Sequence, residues 1–187
     1  MRASPDVVVG LAVLSLGTLL DGFTTLASAE PQMSIGVTVG GGAADLRTVP
    51  RAVFHLGLHG DVLFFRKRDR DMAFGPYVEA LTVAFDTFEA GGGVSWLVPL
   101  SEHVPFVLSA GAHARGGAGG WFPGVSTTLW GGSRSLNFDS VYGLALGFFV
   151  QGRYGFGDAR QADVLAGFQI DGEVFVLPFL LLANAFR

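Results

Sequence analysis

The chain contains no cysteine. That excludes a disulfide scaffold and any zinc or iron–sulfur site built on thiolates. Lysine is almost as scarce, with Lys67 the single one. Charged residues are 15% of the chain, well below the roughly 25% of an ordinary soluble domain. The net charge of −4 supplies no basic face to neutralise phosphates, so nucleic acid is not an expected partner. After the N-terminal region no stretch approaches about 20 unbroken apolar residues, so no central membrane-spanning helix is expected. What the chain has instead is 50% hydrophobic residues and 28 glycines. Its 187 residues suit one domain preceded by a targeting segment.

That segment is residues 1–29. Arg2 gives a positive tip, and Val7 to Leu20 is an apolar run too short to span a bilayer. Asp21 and Gly22 stop it, and Ala27-Ser28-Ala29 follows. Charged tip, short apolar core and small-x-small site are the layout of a secretory signal peptide. Cleavage is expected after Ala29, leaving residues 30–187 as the folded domain.

From there the chain alternates with period two, the mark of strands with two unlike faces. In Phe54–Phe65 one face reads Phe54, Leu56, Leu58, Val62, Phe64, and the other starts His55, Gly57, His59, Asp61. Phe88–Val98, Phe106–Arg115, Tyr142–Phe156 and Ala162–Val174 alternate as cleanly. Ser34–Gly40, Gly75–Phe85 and Gly124–Gly131 do so more weakly, which makes about eight strands. Leu177–Phe186 reads as either a last strand or a short apolar helix. The links, among them Gly41–Arg51, Arg66–Asp71, Asp86-Thr87 and Gly116–Pro123, are short, which favours an up-and-down antiparallel meander.

Eight antiparallel strands can close into a barrel. Across the segments one face is Leu, Val, Phe, Ala and Ile, while the other mixes Gly, Ser, Gln, His and charges. Small residues and glycine suit the crowded inside of a narrow barrel. An apolar outside with aromatics near strand ends, here Phe54, Phe64, Tyr142, Tyr154 and Phe156, is the arrangement of a membrane barrel. On the signal-peptide layout, the alternation, the glycine-rich polar face and the terminal Phe186, the chain resembles the small eight-stranded outer-membrane barrels of Gram-negative bacteria. The resemblance implies an all-β, single up-and-down antiparallel transmembrane barrel, monomeric, in the bacterial outer membrane. It implies two partners: the lipid bilayer, and the barrel-insertion machinery, which would read the C-terminal segment ending at Phe186. Arg187 follows that aromatic, a departure from the family pattern, and the family's long outward loops are missing. A periplasmic lipocalin-like barrel for an apolar ligand, and a lipid-modifying barrel enzyme, stand as the alternatives.

The polar face allows a geometric test, because hairpin partners have residue numbers with a constant sum. On that rule His59 faces Glu79, Glu89 lies beside His113 or Arg115, and Arg153 faces Asp163. These seven residues form the expected interior polar network, since cross-strand opposite charges attract and buried charges need partners. His55 and His59 are about 13 Å apart on a strand, too far to share a metal. Ser109 and His113 are separated likewise and have no third partner. The glycine runs Gly40–Gly42 and Gly116–Gly120 are not followed by Lys-Ser/Thr, so no phosphate loop is present. No catalytic, metal-binding or cofactor residue is therefore expected, and the expected role is a structural one without an open pore. N-terminal sequencing of protein recovered from the cell envelope should begin at Glu30; a chain still carrying residues 1–29 would sink the export reading.

Overall fold

The computed structural model describes residues 31–101, 104–117, 120–134, 144–156 and 161–172. They form eight strands: β1 Gln32–Ala44, β2 Arg51–Leu63, β3 Ala73–Val83, β4 Thr87–Pro99, β5 Pro105–Gly117, β6 Gly120–Arg134, β7 Ala145–Gly155 and β8 Ala162–Asp171. Each pairs antiparallel with the next, and β8 pairs antiparallel with β1, so the sheet is a closed barrel in chain order. The all-β, up-and-down antiparallel fold is the one that the alternation implies.

The strands run longer than the alternation suggests. β1 continues through Gly41–Ala44, and β5 and β6 continue through Gly116-Gly117 and Gly120–Pro123, all stretches that read as loops in the sequence. Glycine ordinarily weakens a strand, but here most strand glycines line the narrow inside, where a side chain has no room. The closing strand is β8, ending at Asp171. The barrel therefore closes without residues 174–186, which lie, with Phe186, outside the described residues. Tyr142 lies outside them too.

Following the register from Ser34 through Asp61, Tyr77, Gly93, Gly111, Ser126, Arg153 and Asp163 returns to β1 about ten residues further along. That stagger tilts the strands by about 40° to the barrel axis. The β2–β3 ladder stops at Asp61↔Tyr77 and resumes only as a bridge at Phe64↔Phe74. Pro76 sits in the gap and has no N–H to give.

Parity is unbroken along every strand, so the two faces stay separate. Inside lie Val53, Leu63, Leu81, Val83, Leu97, Val107, Trp130, Phe149 and Leu165, interleaved with the buried polar residues. Outside, the described strand residues include no charged side chain and no His, Asn or Gln. Two aromatic belts ring this outer wall. Phe54, Phe85, Phe88, Trp121, Tyr154 and Phe156 mark the end carrying the β1–β2 and β3–β4 turns, with Phe54 stacked on Phe85 and Phe88 edge-on to Trp121. Phe65, Phe74, Trp96, Phe106, Phe148 and Phe168 mark the end where β1 starts and β8 stops, with Phe148 and Phe168 4.3 Å apart. Eight residues separate Phe88 from Trp96 on β4, which is about 20 Å along the axis at that tilt.

The closing seam depends on glycine. A Cβ on Gly40 would collide with the backbone of Ala166 and Gly167, and one on Gly42 with that of Val164 and Leu165. Gly152, on the outer wall, has only Thr127 Cγ2 at 3.8 Å. Gly40→Val should cost at least about 1–3 kcal/mol, the range for overpacking, while Gly152→Ala should be tolerated. Urea unfolding of both variants followed by circular dichroism checks the contrast; equal midpoints would remove the seam argument.

Candidate functional site

The polar side chains of the lumen form two groups along the axis. The larger lies toward the β3–β4 turn. Glu89, fully buried, sits 2.6 Å from Arg153 Nη2, 3.2 Å from Arg115 Nε and 3.6 Å from His113 Nε2. Arg115 also reaches Asp163 at 2.5 Å, and Asp163 accepts the backbone N–H of Asp45 at 2.8 Å. Arg153 extends to Glu79 at 3.3 Å and donates to Gln151 at 3.0 Å. Gln151 and Ser126 both donate to Glu79, and Tyr77 lies 3.4 Å from Ser126 Oγ. The result is one connected set from Asp45 at the rim to Tyr77.

The second group lies toward the strand termini. Arg134 on β6 binds both oxygens of Asp61 on β2, at 2.7 and 2.5 Å. His59 Nε2 is 3.8 Å from the same carboxylate, and its ring stacks on Tyr77. Asp171 accepts from Ser34 and from the backbone N–H of Ala145, tying β8 to β1 and β7.

The hairpin rule and the ion pairs answer different questions. The register does set His59 opposite Glu79, Glu89 opposite Arg115 and Arg153 opposite Asp163. Only the Glu89 pairing is also an ionic contact. Glu79 turns from His59 to Arg153, His59 to Asp61, and Asp163 to Arg115. Long arginine side chains reach across a lumen only a few side chains wide. β2 and β6, like β3 and β7, lie on opposite walls, so Arg134–Asp61 and Arg153–Glu79 brace the barrel across its diameter. Asp61, Arg134, Gln151, Ser126 and Tyr77 are absent from the sequence-derived set. Arg134 falls beyond the Gly131 end assigned to its strand, and Asp61 faces Tyr77, not a base, across its own hairpin. His59 on the same strand is the local neighbour of Asp61, and only closure brings Arg134 and Asp61 together.

The remaining candidates are occupied otherwise. His55 Nε2 is 2.9 Å from Thr38 Oγ1, with its ring edge-on to Phe149. Ser109 and Ser95 share a hydrogen bond of 2.7 Å across β4–β5, while His113 faces Glu89. Among the described residues no three acid or histidine side chains are grouped to hold a metal. A cavity of about 30 Å³ remains between the two groups, lined by Thr38, His59, Asp61, Glu79, Gln151 and Arg134 among others. That is room for about two water molecules, far from the roughly 300 Å³ or more of a pocket for a drug-sized ligand.

No family model matches the chain, and no curated protein and no solved structure matches it either. The fold and the lumen define its class on their own: a closed eight-stranded antiparallel barrel with an apolar wall and a charge-filled interior.

Removing one partner of a buried ion pair leaves an uncompensated charge and costs about 3–5 kcal/mol, while replacing both by apolar groups is often near neutral. Arg134→Leu should lose that much stability, and Asp61→Leu with Arg134→Leu should regain most of it. Denaturant titration of the two variants decides; a double variant as weak as the single one would mean the pair is not what holds these walls.

Proposed function

We propose that this chain is an exported outer-membrane β-barrel protein with a closed lumen and a structural, non-enzymatic role in the envelope. The observation that carries the reading is the outer wall. Its exposed side chains run from Phe54, Leu56 and Leu58 on β2 through Phe74, Trp96, Leu108, Leu129, Leu146 and Phe148 to Phe168 on β8. Water-soluble monomers rarely expose contiguous apolar patches beyond a few hundred Å², and here the apolar surface encircles the molecule. In lipid the same surface costs nothing, and closure satisfies the backbone without water. The belts sit about 20 Å apart, close to the roughly 25 Å apolar band of such barrels.

The lumen supports the rest of the reading. A lipocalin-like barrel would hold its apolar ligand inside, where here the space is crossed by Arg153, Arg134 and their acids. Side chains fill an eight-stranded interior, so the reading includes no ion-conducting pore. It includes no catalytic, metal or cofactor residue, and the bilayer is the partner. An insertion machinery would meet the chain through its C-terminal segment ending at Phe186.

Gel mobility of the purified protein, refolded into detergent micelles and loaded cold or boiled, tests this. The cold sample should run as a compact band that shifts on boiling, and planar-bilayer recordings should show no conductance steps. A protein that stays soluble without detergent and shows no shift would overturn the membrane reading.

A further inference from the structure

Glu89 differs from the other two carboxyl groups around it. Glu79 accepts hydrogen bonds from Ser126 at 3.3 Å and Gln151 at 2.8 Å, one on each oxygen. Asp163 accepts the Asp45 N–H on one oxygen and Arg115 on the other. Glu89 is fully buried, and neither of its oxygens accepts a hydrogen bond among the described residues. Arg153 Nη2 at 2.6 Å, Arg115 Nε at 3.2 Å and His113 Nε2 at 3.6 Å lie close, but none is aligned to donate to it. Both arginines are also engaged elsewhere, Arg115 with Asp163 and Arg153 with Glu79. Two guanidinium groups thus stand against three carboxyl groups. Among the described residues, β3 brings Glu79 to this cluster, β4 Glu89, β5 His113 and Arg115, β7 Arg153 and β8 Asp163. β6 brings Ser126 and Gly124, where a Cβ would meet the His113 ring. On β2, His55 lies near Arg153 and Glu79 and is engaged with Thr38 of β1. At the rim Asp45 is matched by Arg51.

We infer that this cluster is a proton-binding site: Glu89 is a neutral carboxylic acid in the folded barrel, with the His113 imidazole as the base that faces it. An ionised carboxylate taken out of water needs hydrogen bonds on its lone pairs to offset the lost hydration, and Glu89 receives none. A neutral acid needs only one acceptor for its proton, and His113 Nε2 is the nearest. A proton on His113 instead would set a third cation beside Arg115 and Arg153 and leave the Glu89 carboxylate unbonded. With the proton on Glu89, two arginines meet two hydrogen-bonded carboxylates, Glu79 and Asp163. The inference depends on the closed barrel and not on the membrane reading, because the site lies inside the wall.

In the unfolded chain glutamate and histidine are both deprotonated above about pH 7.5, so folding in that range takes up one proton. The unfolded state then binds fewer protons than the folded one, and stability falls as pH rises. The unfolding equilibrium constant should climb about tenfold per pH unit between about pH 7.5 and 8.5. Urea titrations of the full chain measure this slope, in detergent micelles or, if the membrane reading fails, in plain buffer. Glu89→Gln copies the neutral acid and should flatten the slope. Infrared spectroscopy of the folded wild type gives a readout that needs no variant: a carboxylic-acid carbonyl band at about pH 8, where free glutamate is ionised, that moves when the glutamates are isotope-labelled. A flat wild-type slope, a slope that survives Glu89→Gln, a missing band, or an imidazolium signal from His113 in nitrogen NMR would each overturn the inference.

Discussion

The hydrogen bonds between Gly36–Ala43 of β1 and Val164–Asp171 of β8 join the first strand to the last, and the other features of the barrel depend on that closure. A sheet left open would expose two rows of unpaired N–H and C=O groups, which in lipid have nothing to bond. Closure removes both edges and sets a narrow interior. It also converts period two along each strand into an inside and an outside that never exchange. Glycine becomes necessary where backbones leave no room for a Cβ: Gly40 and Gly42 let β1 come against β8, and Gly93 faces Gly111 between β4 and β5.

Closure also explains why so much charge can be buried. Glu89, Asp163, Asp61 and Asp171 are almost fully shielded, a costly state for isolated carboxylates. Each lies within reach of polar groups from other strands. Arginine suits the task, because its planar fork spans the lumen and contacts two acids at once, as Arg153 does with Glu79 and Glu89 and Arg115 with Glu89 and Asp163. The interior is thus a polar core held by charge pairing, and the apolar residues are divided between a few inner layers and the whole outer wall. That is the inverse of a soluble globule, and it leaves little room for a ligand.

Much of the candidate site is legible in the order of residues alone. Period two separates the faces correctly at Phe54, Leu56 and Leu58 against His55, His59 and Asp61, and the constant-sum rule finds the register of two hairpins and narrows the partner of Glu89 in a third to His113 or Arg115. The rule fails where contacts run across the lumen. Glu79 faces His59 in its ladder but binds Arg153 four strands away, and Arg134 meets Asp61 only because β6 and β2 end on opposite walls. Strand ends escape the pattern where glycine and proline read as turns, at Gly41–Ala44 and Trp121–Pro123. These residues stay in strand because a neighbouring ladder, β2 and β8 for Gly41–Ala43 and β5 for Trp121–Pro123, supplies what local propensity lacks.

By itself the sequence determined the alternation, the short connections and the supply of acids and bases on one face. Those are local properties, carried by residue order and read two positions at a time. Only the tertiary structure decided which strand closes the barrel, where the stagger sets each residue along the axis, and which acid each arginine reaches. Those depend on the number of strands and the shear of the closed sheet, quantities that belong to no single segment of the chain.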